Sequence, residues 1–566
     1  MCVSVAFAGG AGQERSRKQF SEYIRESLYV PVRDGTRLAM SIYRPAIEGK
    51  AVDQQFPVVF AMTPYRARYY HKDGSIAEIG LSDWLALKGL TDFGYIVAVA
   101  DIRGKGASFG YRRGFQDRTE AYDGFDLVEW LADQSWSTGN VGMIGCSYLG
   151  GAAVQVATTA PPALKAIFAG ATDFDKYSFV RRGGITAQFN TRPDEPPVVD
   201  LQSVPMDEDK DGSMLKAAVA EHAKNTPMAG LWYGMPYRDS VSEYTGNQFW
   251  KEVGPYTYLD KLKASGIATY FWSNWQDEPT EQVLLAAKNV GGKLLVGPGT
   301  HCVPPPGFDF SGEVRKYFDY HLKGMKTGLY EEPLYTYLVN DGDDSRWVRS
   351  NRLPGEDAIR ERFYLTGTGT LEKSPQDKGG SRSFQVNYKV NNKEYFPFWV
   401  EPMDDFGLVY TSEPLQKDRL LQGQAMVRLG LKSDKADVNV FAYLEDVAPD
   451  GKISVLAFGR LAASHRKETE APYDMLGMPW HSGRKDDVSL LVPGEKAEMK
   501  ISLLPASQVI RAGHRLRLVI AGADPRQRNL EQIKQSPAPI ITILSGEMDG
   551  SYLELPFVVN LNNEQN

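Results

Sequence analysis

Gly145-Cys146-Ser147-Tyr148-Leu149-Gly150 constrains this chain more than any other stretch, because it sets a serine at a sharp turn from strand to helix. Val141-Gly142-Met143-Ile144 reads as a short buried strand, and Gly151 to Ala157 as the start of a small-residue helix. A strand–Gly-x-Ser–helix junction lifts the serine Oγ clear of the backbone and aims helix N–H groups at developing negative charge. A side chain at position 145 or 150 would collide with the neighbouring strand or helix. The usual second glycine, two residues after the serine, is Leu149 here, and glycine follows one place later. So short a match in 566 residues needs partners before it carries an argument.

A serine nucleophile on such a turn is followed along the chain by an acid and then by a histidine. The chain holds seven histidines. His301 follows the apolar strand Lys293-Leu294-Leu295-Val296-Gly297 and a Pro-Gly break, which puts it on a loop past a strand's C-terminal end, where parallel sheets collect catalytic groups. Asp277 lies on the loop after the strand Ile267–Trp272 and suits the role of orienting the imidazole. Its neighbour Glu278 is expected to cap the helix that begins near Pro279. The other six histidines read as surface or core residues: His71 stands in the wrong order, His222 and His321 fall in helical patterns, and His465, His481 and His514 in the β-rich last third. An oxyanion hole needs two donors. The Tyr148 backbone N–H is one; Tyr65, in Thr63-Pro64-Tyr65-Arg66 after the strand Val58–Met62, is either the second through its hydroxyl or a packing residue.

Around these residues the pattern is that of an α/β chain. A hairpin is expected over 27–43, turning at Asp34-Gly35. Strands follow near 57–62, 95–101, 141–146, 164–169, 267–272 and 293–297, with helices near 79–92, 118–133, 148–159, 279–290 and 312–323. Apolar strands separated by helices imply a parallel sheet covered on both faces. The stretch between the strands at 164–169 and 267–272 is not needed by this alternation and is rich in helix formers and aromatics such as Phe179, Trp232 and Trp250. It reads as a cap that excludes water from the site. From about 355 onward, runs such as Ala425–Leu431, Val438–Leu444 and Arg515–Ile520 alternate apolar and polar residues between turns, a β-sandwich pattern.

Length calls for two or three domains. Net charge is −7, with no Lys/Arg stripe, which argues against a nucleic-acid partner. No apolar run approaches the length of a membrane span. Met1 to Gly10 resembles the end of a signal peptide with an Ala-x-Ala pattern, so export to the periplasm or medium follows if it is a truncated leader, and a cytoplasmic location otherwise. Three cysteines give no disulfide framework. Cys146 and Cys302 flank Ser147 and His301, yet residues beside catalytic side chains usually point away, so buried thiols are the expectation. Asp207-Glu208-Asp209-Lys210-Asp211-Gly212 opens like a calcium loop, but Ala218 stands where the bidentate Glu belongs, and a loop leading into a helix is expected instead. No zinc motif occurs, and neither a metal nor a cofactor is expected.

With these pieces assembled, the chain resembles the serine hydrolases grouped with bacterial cocaine esterase and X-Pro dipeptidyl-peptidase. The resemblance rests on Trp136–Gly150, on Asp101-Ile102-Arg103-Gly104-Lys105-Gly106-Ala107-Ser108-Phe109-Gly110, on Asn274-Trp275-Gln276-Asp277 (Asn in place of Gly) and on Gly297-Pro298-Gly299-Thr300-His301 (Gly in place of Trp). It implies an α/β-hydrolase core with an inserted helical cap and a C-terminal jelly-roll β-sandwich. The expected division is a tail or signal remnant at 1–25, core at 26–171, cap at 172–262, core again at 263–354 and jelly roll at 355–566. It also implies a Ser147–His301–Asp277 triad with Tyr65 and Tyr148 as oxyanion donors. Relatives that bind a substrate ammonium place carboxylates two and three residues after the triad aspartate. Here Glu278 and Glu281 stand at one and four, so an amine on the acyl group is not supported. The expected activity is hydrolysis of small-molecule esters or amides through an acyl-enzyme. The alternatives are release of X-Pro dipeptides and a catalytically idle carbohydrate-binding protein; a homo-oligomer is compatible with any of these.

Overall fold

The computed structural model describes residues 14–186, 194–390, 399–526, 533–546 and 550–559; the signal-like stretch at Met1 to Gly10 lies outside them. Two large sheets organise the chain. The first runs in the order Glu22–Pro31, Arg37–Ile47, Ile96–Asp101, Phe56–Thr63, Ser137–Cys146, Leu164–Gly170, Ala268–Asn274, Lys293–Gly297, Tyr335–Val339, Arg346–Ser350. From Ile96–Asp101 to Tyr335–Val339 each neighbouring pair is parallel. The outer pairs are antiparallel, including the hairpin at the amino end, which pairs Pro31 with Arg37. Every residue of Phe56–Thr63 and Ile96–Asp101 is buried, as strands covered on both faces require.

Helices Arg118–Ala132, Tyr148–Ala157, Thr280–Val290 and Phe310–Lys323 cover this sheet. Asp117 starts the first by accepting the Glu120 N–H, and Asp309 starts the last by accepting the Gly312 N–H. The helix expected near 79–92 does not form. Only two short 3₁₀ turns occur there, Ile79–Leu81 and Leu90–Phe93. Ala86 (φ 55°) and Gly89 (φ 78°) adopt left-handed backbone, which interrupts a helical hydrogen-bond ladder.

Between Leu164–Gly170 and Ala268–Asn274 the chain makes short helices, among them Lys176–Val180, Ser213–Glu221, Met228–Tyr233 and Phe249–Val253. They form the cap. Ser213–Glu221 packs its Leu215, Ala218 and Val219 with Tyr29 and Phe109, whereas Lys176–Val180, Met228–Tyr233 and Phe249–Val253 share a core in which Trp232 stacks on Trp250, centroids 5.2 Å apart. Such a pair contributes about 0.5–1.5 kcal/mol beyond the area it buries. Asp209, in the calcium-like loop, accepts the N–H groups of Met214 and Leu215 at the start of Ser213–Glu221. Its carboxylate therefore caps a helix.

The second sheet system is all-β and nearly all antiparallel, built on the long strands Arg419–Ser433 and Ala497–Ile510. Its core includes Phe363, Val427, Leu429, Phe441, Leu503, Leu518 and Phe557. It docks on the first sheet through backbone bonds from Asn340 N to Ser507 O (3.0 Å) and Val509 N to Asn340 O (2.9 Å). The molecule is an α/β-hydrolase with a helical cap and a C-terminal β-sandwich. Among the described residues no helix is long and apolar enough to cross a membrane, and no group of His, Cys, Asp and Glu gathers as a metal site would.

Candidate active site

The parallel strands end almost level. Thr63 pairs with Asp101, Cys146 with Gly170, Gly170 with Trp272, and Trp272 with Leu295. The chain therefore leaves the sheet at one rim just before Tyr65, Ser147, Asp277 and His301. Each of these residues follows a different strand, and only parallel pairing in this order could gather them.

Ser147 has φ 58° and ψ −127°, an uncommon backbone conformation for a side chain other than glycine. Its N–H bonds to Gly170 O, and its C=O accepts the Gly151 N–H of the helix that starts at once, both at 2.9 Å. A Cβ on Gly145 would lie 2.2 Å from the Leu149 carbonyl carbon, and one on Gly150 would lie 2.3 Å from Gly170 O. The two glycines are steric requirements of the turn, and Leu149 needs no replacement by glycine. From Val141 to Thr159, Ser147 alone is not buried. The turn exposes one hydroxyl from an otherwise solvent-free segment.

His301 Nδ1 lies 2.9 and 3.0 Å from the two carboxylate oxygens of Asp277. Asp277 is buried, and burial pushes its carboxyl above the ordinary range although the His301 ring pulls it back. Backbone bonds from Trp275 N to Gly297 O (2.9 Å) and Gln276 N to Gly299 O (3.1 Å) carry the strand pairing into the two loops. The Asn274 amide donates to the carbonyls of Thr300 (2.6 Å) and Val303 (2.8 Å), on either side of His301. The asparagine that replaces glycine here thus clamps the histidine loop.

The expectation of buried thiols is wrong. Cys146 and Cys302 form a disulfide, with Cα atoms 5.8 Å apart. Cys302 can face the strand-to-helix turn at Ser147 because its backbone is left-handed (φ 57°), which sequence spacing does not disclose. Ser147 and His301 each stand one Cα step, about 3.8 Å, from a bridged residue. A bridge between residues 156 apart in sequence stabilises the fold by roughly 2–5 kcal/mol through the unfolded chain.

Tyr148 opens the helix Tyr148–Ala157, so its N–H is among the first four without an intrahelical partner. Its hydroxyl is occupied elsewhere, donating to Glu120 Oε2 at 2.6 Å, while burial pushes the Glu120 carboxyl up to about 7. The Tyr65 ring stands 6.4 Å from that of Tyr148 and is 42% exposed. Its loop is pinned from below: buried Asp101 accepts the N–H groups of Ala67 (2.6 Å) and Ala107 (2.9 Å). Phe115 packs edge-on against both Tyr148 and the cap residue Trp232, joining the rim to the cap.

Glu278 does not cap the following helix. That helix has Pro279 at its N-cap and no side-chain cap. The Glu278 carboxylate turns instead toward Arg460 (2.8 Å), Arg182 (3.7 Å) and Arg526 (3.7 Å). Burial alone would push it up, but these three cations hold it below its ordinary range. Glu281 pairs with Arg182 and accepts from Gln424 at 2.9 Å. Arg460 and Arg526 come from the β-sandwich nearly two hundred residues or more down the chain, so no local signal could have paired them with Glu278.

The remaining histidines have other partners. His222 bonds Asp200 and the Ser108 carbonyl, His481 the carbonyls of Lys467 and Lys500, and His514 Asp446. Burial pushes His321 and His465 down to about 4.

Two family models match the chain: the X-Pro dipeptidyl-peptidase (S15 family) model over residues 34–303 and the X-Pro dipeptidyl-peptidase C-terminal non-catalytic domain model over 327–532. A Mycobacterium bovis protein described as a serine esterase is 28% identical over 94% of this chain and 95% of its own length. Cocaine esterase from a Rhodococcus species is 24% identical over 94% of this chain and 98% of its own. In structure, the chain is similar to a CocE/NonD family hydrolase from Staphylococcus aureus, with TM-score 0.74 and 20% identity over 95% of this chain and 94% of that one.

Proposed function

We propose, from the premise that this chain belongs to the serine hydrolase family of cocaine esterase and the X-Pro dipeptidyl-peptidases, that Ser147, His301 and Asp277 are its catalytic triad. The chain is a serine hydrolase. His301 Nε2 takes the Ser147 proton, and Oγ attacks the acyl carbonyl. The Tyr148 N–H and the Tyr65 hydroxyl hold the oxyanion. Protonated His301, its charge stabilised by Asp277, gives the proton to the departing alcohol or amine. Water activated by the same imidazole then releases the acid. The observation that carries this reading is the strained, partly exposed Ser147 one residue from Cys146, disulfide-bonded to Cys302 beside the Asp277-paired His301.

The substrate we favour is a small ester or amide without an amine on the acyl part. Glu278 and Glu281, the carboxylates closest to Asp277 in sequence, are neutralised by Arg182, Arg460 and Arg526, so this loop offers no anchor for a substrate ammonium. The test is a nitrophenyl-ester assay beside an X-Pro anilide, with fluorophosphonate labelling of wild type and Ser147→Ala. Turnover of the ester and labelling lost in Ser147→Ala are expected. Undiminished hydrolysis by Ser147→Ala overturns the triad, and preferred turnover of the anilide overturns the substrate class.

A further inference from the structure

The histidine loop is strapped twice, and the two straps run to different partners. Asn274, at the end of the strand that leads to Asp277, holds the loop by the Thr300 and Val303 carbonyls. The Cys146–Cys302 bridge holds the same loop to the strand that ends at Cys146, one residue before Ser147. The loop carries left-handed backbone at Cys302 (φ 57°), a conformation that is costly for a residue other than glycine and that a released loop has reason to leave. Cys146 is fully buried, whereas Cys302 is partly exposed, so the bridge is reachable from solvent at one end.

We propose that Cys146 and Cys302 are positioning residues, whose disulfide fixes the His301 ring against Ser147 and makes turnover depend on the oxidised state. The inference rests on the triad reading above and adds to it the dependence on bridge chemistry. A dithiol supplies two electrons and two protons. The sulfur–sulfur bond breaks to two thiols, and the reagent closes to its own cyclic disulfide. Asn274 still holds the loop to the Asp277 side, so His301 keeps its carboxylate and loses its register with the serine. A displacement near 1 Å in a reacting group lowers the chemical step by on the order of a hundredfold, with little effect on substrate binding.

The test uses the full-length enzyme. Thiol titration in denaturant is expected to find one of the three cysteines reactive before treatment with dithiothreitol and all three after. In native protein, reduction is expected to lower kcat by about ten- to a hundredfold while KM stays within about threefold. Fluorophosphonate labelling should slow in parallel, far-UV circular dichroism should not change, and oxidised glutathione should restore activity. The Cys146→Ala/Cys302→Ala double variant is expected to match the reduced enzyme and to ignore dithiothreitol. The proposal is overturned if kcat is unchanged with three thiols present, if activity falls only as the fold is lost, or if three thiols persist in the presence of oxidised glutathione. Ser147→Ala, run alongside, separates the two claims. Full activity there sinks the triad, whereas an inactive Ser147→Ala with redox-indifferent wild type sinks this inference alone.

Discussion

Two buried aspartates in this molecule hold a histidine by Nδ1 at nearly the same distance, Asp277 to His301 at 2.9 Å and Asp200 to His222 at 3.0 Å. Only one pair is a candidate for catalysis. The second nitrogen of His222 bonds the Ser108 carbonyl at 2.8 Å, and its ring has no solvent exposure. Asp200 also receives Lys105 and Arg66, so the group ties the cap to the turn that follows Tyr65. His301 keeps 18% exposure and stands on a loop bridged by Cys302 to Cys146, next to Ser147. A histidine–carboxylate pair is a common stabilising unit; what makes one catalytic is the atom its far nitrogen faces.

The sharpest way to break this comparison is to remove each imidazole. His301→Ala should lower kcat/KM by on the order of 10⁴–10⁶-fold, about 5–8 kcal/mol of transition-state stabilisation, with little change in thermal midpoint. A reduction of less than tenfold, measured on a nitrophenyl ester, would remove His301 from the mechanism. The next effect is one of stability. Glu278→Gln leaves Arg182, Arg460 and Arg526 crowded without their shared carboxylate, and should cost about 3–5 kcal/mol in denaturant unfolding. An unchanged midpoint would show that solvent reaches the cluster. His222→Ala should destabilise by about 1–3 kcal/mol, yet leave kcat within about threefold. A large loss of kcat in a folded His222→Ala protein would erase the contrast between the pairs.

The smallest effect concerns pH. Burial raises the Glu120 carboxyl to about 7, above its ordinary value of 4.5. The native state therefore holds a proton that the unfolded chain releases, and Glu120 makes stability fall as pH rises from about 4.5 to about 7. Glu120→Gln keeps an acceptor for the Tyr148 hydroxyl without that titration. Its urea midpoint should decline less than that of wild type between pH 5 and 7. Equal slopes would show that Glu120 does not carry the raised affinity.

Much of the candidate site was legible because its signals are local. Ser147 is marked by a glycine that must lack a side chain and by the apolar strand before it, and Asp277 and His301 by their places just past strands. The misreadings share a different cause. The helix read at 79–92 has adequate composition but is broken by left-handed residues, whose backbone is chosen by the surrounding packing. Glu278 sits where a capping carboxylate belongs, yet three arginines compete for it, two of them from the β-sandwich. Cys146 and Cys302 gave a hint by flanking the proposed nucleophile and base, but a bridge depends on the Cys302 dihedral, which no neighbouring residue announces.

The sequence by itself determined the candidate chemistry: which serine can stand partly exposed at a tight turn, which acid and histidine follow strands in a workable order, and where strands give way to a β-sandwich. These follow from steric limits and periodicities acting over a few residues. Only the tertiary structure decided how the reactive loop is held, through Asn274 on one side and a disulfide on the other, and which carboxylates are used up in buried ion pairs. Those choices depend on groups far apart in the chain, and their energies exist only once packing has removed water from between them.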